Sequence, residues 1–126
     1  MLTVQNANLV VLNGKQYGFV GNNRFYIGRG NASYRLPQSP LANPFVVGRD
    51  GDRREVIEKF RRWLWPQLKR WRETGELTEA TQALKAIAVD VGEGKLVVLT
   101  CWCKPEPCHG DVIVSCINWI IEQGMV

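Results

Sequence analysis

The hydrophobic positions of this chain fall into three kinds of run. Short β-like runs fill the first third, helical spacing follows, and one continuous apolar run lies near the C-terminus. Asn8 to Leu12 is apolar and stops at Asn13-Gly14, a pair that favours a tight hairpin turn. Gln16 to Val20 reads as the partner strand, and Phe25-Tyr26-Ile27 as a third strand stopped by Gly28-Arg29-Gly30-Asn31. The stretch from Ala32 to Asp50 is irregular and holds Pro37, Pro40 and Pro44. Long connections of this kind are often functional, and Leu41, Phe45, Val46 and Val47 need burial.

Asp52 and Glu55 then fit the first and fourth positions of a capping box. Val56, Ile57, Phe60, Trp63, Leu64, Leu68 and Trp71 follow at spacings that make one apolar helix face. Pro66 lies inside this pattern and is expected to kink or split the helix. Gly75 closes it, and Thr78 opens a second helix with Ala80, Leu84, Ile87, Ala88 and Val91 inward. Leu96 to Cys101 is β-branched and uninterrupted, as in a parallel strand covered on both faces. A last, largely buried helix runs from about Cys108–Asp111 to Gln123. The expected architecture is a small three-layer α/β domain spanning 1–126. It has a short mixed sheet with an N-terminal hairpin, a parallel β-α-α-β crossover and helices on both faces.

Composition narrows the functional classes. The chain has 126 residues, 45% hydrophobic and 22% charged, with five Trp, which suits one folded domain and not a disordered one. The N-terminus shows no secretory pattern, and no apolar run approaches a membrane span, so neither export nor a membrane partner is expected. Three of the four cysteines, Cys101, Cys103 and Cys108, sit within eight residues. That clustering fits reduced thiols in a cytoplasm and not a disulfide scaffold. The net charge of +4 is concentrated: between Arg53 and Arg72 there are eight basic residues and two acids.

A parallel crossover puts the C-terminal ends of the strands at Tyr26 and Val98 on one sheet edge, where ligands of open α/β sheets bind. Gly28-Arg29 leaves one strand there, and Cys101-Trp102-Cys103 the other. The cysteine segment has three readings. Three thiols and His109 match structural zinc in number, but the Cys-x-Cys-x4-Cys-His spacing lacks the usual knuckles, so no metal is expected. Cys108 at a helix N-terminus is placed to be a nucleophile, with His109 and Asp111 as candidate catalytic partners. The third reading is packing, since free cysteines behave as small buried hydrophobes.

Tyr26-Ile27-Gly28-Arg29, Asn43-Pro44-Phe45, Gly48-Arg49-Asp50-Gly51, Cys101-Trp102-Cys103-Lys104-Pro105 and Cys108-His109-Gly110-Asp111 occur here in that order. Together they resemble the family called domain of unknown function 4326, found in bacteria and their phages. The resemblance covers roughly residues 8 to 121 and implies no particular activity.

The functional expectation rests on the residues. Amide groups at the last helix's N-terminus, the Gly28-Arg29 turn, Arg49, Asn43, Cys103 and Gly110 suit an anion. The expected function is binding, or binding and converting, a nucleotide-like or other phosphorylated small molecule, with no cofactor. The alternative is a non-catalytic interaction protein, either a phage-type sequestering protein or a nucleic-acid binder using the basic helix 53–72.

Overall fold

A computed structural model describes residues 6–126. Its sheet has three strands: β1 (Leu9–Asn13), β2 (Arg24–Tyr26) and β3 (Val97–Cys101). The order is β1-β3-β2, and both pairings are parallel, with Val11 opposite Leu99 and Phe25 opposite the same residue on the other side. The β-branched run therefore takes the centre, where both neighbours and both faces exclude water. The crossover from β2 to β3 passes through α2 (Arg53–Thr74) and α3 (Glu79–Gly92), as the helical spacing predicts, and α4 (Gly110–Glu122) follows β3.

The expected hairpin does not form, and the sheet is parallel instead of mixed. Asn13 has φ −73°, outside the positive range that a tight hairpin turn requires there. Its side-chain oxygen instead accepts from the Lys15 amide and caps a one-turn helix, α1 (Gly14–Tyr17). Gln16 to Val20 is thus not a strand. Gly14 serves close packing, because a Cβ there would lie 2.0 Å from the ring of Phe19. Residues 14–23 carry the chain back across the sheet, and Thr100 Oγ1 donates to the Phe19 carbonyl at 2.9 Å on the way.

Strand alternation separates the two faces of the sheet. Val97, Leu99 and Cys101 join Leu9 and Ile27 in one cluster with Phe60, Leu64, Leu84, Ile87, Ile113 and Ile117, so the three long helices share one face. The third layer is not a layer of long helices: the opposite face is closed by α1, its loop and an aromatic group. Phe19 lies 4.3 Å from Trp102, and Tyr34 5.0 Å from Trp102, centroid to centroid.

The helix caps follow the sequence. Asp52 and Glu55 form the capping box of α2, and Thr78 with Thr81 forms that of α3. Pro66 neither splits α2 nor ends it. Pro66 and Arg62 are both exposed, so the carbonyl that loses an amide partner is on the wet side of the helix.

Candidate functional site

The parallel sheet sends β2 and β3 out at the same edge, and a cavity of about 350 Å³ opens there. One wall is the turn after β2. Arg29 reaches back over the 32–50 loop and donates to the carbonyls of Asn43 (2.6 Å) and Phe45 (2.9 Å). Asn43 is buried, with its amide nitrogen donating to Val56 O (3.1 Å) and its oxygen accepting from Phe45 N (3.0 Å). The long loop is thereby ordered by its own polar side chains, and Leu41 is buried beneath it. Phe45 and Val46 are half-buried, whereas Val47 stays exposed on the cavity rim.

The other wall is the chain after β3. Asn13 donates to the carbonyls of Trp102 (3.2 Å) and Lys104 (2.9 Å), which fixes the turn carrying Cys103. Lys104-Pro105 is a cis peptide bond. Cys108 and His109 are buried at the start of α4. His109 Nε2 donates to the Ile27 carbonyl at 2.7 Å, so in the neutral ring Nδ1 carries the lone pair and faces Cys108 Sγ at 3.7 Å. The ring also meets Phe60 edge-on at 4.9 Å. Burial pushes the imidazole pKa below its ordinary value, which favours this neutral form.

Cys101, Cys103 and Cys108 all line this cavity, and all four cysteines of the chain are free. The Cys108 thiol is the shared donor. Its interaction with the other two sulfurs raises its own pKa, and burial adds to the effect. The same interaction lowers Cys103 to about 6, with the guanidinium of Arg53 contributing next. Cys101 is pulled down by the same donor. Cys101 is buried, whereas Cys103 is half-buried and beside a guanidinium, which favours the anion at Cys103 over Cys101. Among the described residues, no group of three or more His, Cys, Asp or Glu is arranged to hold a metal ion.

Gly28, Arg29, Asn43, Cys103, Cys108 and His109 line the cavity together. Three other candidates stand apart. Arg49 is largely exposed and pairs with Asp50 at 2.9 Å. Asp111 is exposed, accepting from the Cys108 amide (3.2 Å) and from Lys104 Nζ (2.7 Å), and so serves as a cap. Gly110 is buried against the sheet, where a Cβ would lie 2.9 Å from both Ile27 and Val11, which suits it to seating α4. Sequence reasoning missed Arg53, which lines the cavity and donates to Pro107 O at 3.3 Å. Its signal was available: a cation in the first turn of a helix opposes the macrodipole and calls for another reason to be there.

The charge of the cavity is one-sided. No Asp or Glu is among its lining residues, and neither Arg29 nor Arg53 makes a salt bridge among the described residues. Phe45, Trp102, Val47 and Ile57 add apolar and aromatic surface.

Comparison with known proteins places this geometry in a family. The chain is 35% identical over 79 residues to the uncharacterized 12.4 kDa protein in the nrdA-td intergenic region of Enterobacteria phage T4. That match covers 61% of this chain, and the chain spans 60% of the relative's length. No solved structure matches. Residues 12–119, which include both cavity walls and the whole sheet edge, match the domain of unknown function DUF4326, and the chain belongs to that family.

Proposed function

We propose that the cavity binds a small anionic ligand of the nucleotide type, with its phosphate between Arg29 and Arg53. The observation that carries this reading is the one-sided charge: two guanidiniums and no carboxylate line a cavity at the C-terminal edge of a parallel sheet. Arg53 is half-buried, and neither guanidinium has a carboxylate partner among the described residues, so an anion completes this site. Phe45 and Trp102 offer faces against which a planar group packs. Free thiols at the site fit a reducing cytoplasm.

The nucleic-acid alternative draws less support. On α2, Arg61 and Arg62 both pair with Glu58, Arg70 pairs with Glu76, and Arg72 lies over the Trp119 ring. Much of the basic face is thus engaged locally. No helix among the described residues is long and apolar enough to cross a membrane.

Calorimetric titration with nucleoside monophosphates, nucleoside diphosphates, inorganic phosphate and uncharged nucleosides tests the reading. The phosphorylated compounds bind and the nucleosides do not. Arg53→Ala weakens binding roughly tenfold to a hundredfold, the loss of one charged hydrogen bond of ~1.5–3 kcal/mol. Equal binding of nucleosides, or no binding by any phosphorylated compound, overturns it.

A further inference from the structure

We propose that Cys103 and Cys108 form a thiol–disulfide exchange pair, in which Cys103 attacks a small anionic organic disulfide in the cavity and Cys108 resolves the adduct. The proposal takes only the charge of the reagent from the anion reading; the thiol chemistry stands on separate observations.

Exposure sorts the four sulfurs. Cys101, Cys108 and Cys116 are 1%, 1% and 0% exposed, whereas Cys103 is half-buried and lines the cavity. Cys103 also has the chemistry of an attacking group. The Arg53 side chain and the Cys108 thiol both stabilise its anion, and Arg29 adds to the positive field. A thiolate, not a thiol, attacks a disulfide. Cys108 lines the same cavity with the opposite character, a buried thiol whose interaction with the other two sulfurs favours its protonated form. His109 completes the arrangement. Its Nε2 proton is committed to the Ile27 carbonyl, which leaves Nδ1 as an acceptor 3.7 Å from Cys108 Sγ. Cys116 is the internal control. Burial pushes its thiol up to about 12, and no other cysteine affects it.

The steps balance. Cys103 S⁻ attacks one sulfur of RS–SR, the S–S bond breaks, RS⁻ departs, and a Cys103–S–S–R adduct remains. Cys108 then loses its proton by way of Nδ1 of His109 and attacks Cys103 Sγ, expelling a second RS⁻ that takes up that proton. The first RS⁻ is protonated by solvent. The pair is oxidised by two electrons, and one disulfide is reduced to two thiols.

The test incubates reduced protein with oxidised glutathione, which is anionic, or with cystamine, which is cationic. Intact mass and peptide mapping then read the products. In the wild type the product lacks two hydrogens, the linked peptides are those of Cys103 and Cys108, and Cys116 stays free. Cys108→Ser stops at a glutathione adduct on Cys103, and Cys103→Ser gives neither product. Cys108→Ala serves if the serine variant melts early. Oxidised glutathione reacts faster than cystamine by on the order of tenfold, the effect of a positive cavity on an anionic reagent. No reaction, a linkage that omits Cys103, or a tightly held equivalent of zinc occupying the thiols overturns the exchange pair. Equal rates for the two reagents overturn its preference for anions, and the anion reading with it, while the mapped linkage still identifies the pair.

Discussion

The two faces of β3 are closed in different ways. Toward the helices, Val97, Leu99 and Cys101 meet aliphatic side chains from α2, α3 and α4. On the other face, Thr100 and the following Trp102 meet Phe19, Tyr26 and Tyr34, held by hydrogen bonds as well as contact. The first face is a core of the ordinary kind. The second is a thin aromatic cover tied to the cavity, because Trp102 Nε1 donates to Tyr26 Oη at 2.7 Å and Tyr26 Oη donates in turn to the Arg29 carbonyl. Stability therefore resides mainly on one side of the central strand, and the positioning of the site on the other.

Adjacent residues of β3 test that division most strongly. Leu99 is 0% exposed among helix side chains, and Val98, which strand alternation turns to the other face, is 7% exposed. Leu99→Ala is expected to cost ~2–5 kcal/mol, because the surrounding helices cannot collapse fully into the space. Val98→Ala is expected to cost about 1–2 kcal/mol from lost apolar burial alone. Urea denaturation of the two variants reads both values. Equal losses would mean that the aromatic face is as much a core as the helical one.

A smaller effect probes the link between cover and site. Tyr26→Phe leaves the Trp102 N–H and the Arg29 carbonyl without this partner. The expected loss is about 1–2 kcal/mol with an unchanged denaturant slope. An unchanged midpoint would show that the aromatic rings hold this face by contact alone.

The same division governs what could be read from the sequence. The helical face was legible because its signals are local and periodic: the spacing from Val56 to Trp71, the capping box at Asp52, the helix start at Thr78 and the run ending at Cys101. The aromatic face was not, because its parts come from four places in the chain and no period connects them. Asn13-Gly14 shows the ambiguity at residue level. The pair does mark a change of direction, but Asn13 caps a helical turn and holds the Trp102 carbonyl, while Gly14 makes room for Phe19. Both are tertiary facts. The cavity was half legible. Parallel strand ends placed Arg29 and Cys103 near each other, since topology alone requires it. The division of labour among the thiols was not legible. Cys108 occupies the favoured position at the helix start, yet its interaction with the other two sulfurs, with burial adding to it, raises its pKa, and Cys103 gains the guanidinium of a residue fifty positions away in the chain.

Arg53 gives the smallest effect on stability and the sharpest separation of site from scaffold. It stands at the first position of α2, where a cation is disfavoured by ~0.3–1 kcal/mol, and it donates to the Pro107 carbonyl at 3.3 Å. These two terms oppose each other, so Arg53→Ala should move the unfolding free energy by no more than about 0.5 kcal/mol. The thiol beside it should respond. In the wild type the Cys103 pKa is lowered to about 6, by the Cys108 thiol first and by Arg53 next. The thiolate is the reactive form, so alkylation of Cys103 by iodoacetamide proceeds above that pH and falls away below it. Removing the guanidinium raises the Cys103 pKa, and the fall-off then begins at higher pH. Iodoacetamide is uncharged, so the shift reports the thiol and not attraction of the reagent. Alkylation rates at Cys103 measured by mass spectrometry across the acid range, alongside a urea melt, read both quantities on one sample. A displaced inflection with an unmoved melt assigns Arg53 to the site. An unmoved inflection would take it out of the cavity's chemistry and leave it only a hydrogen bond to Pro107.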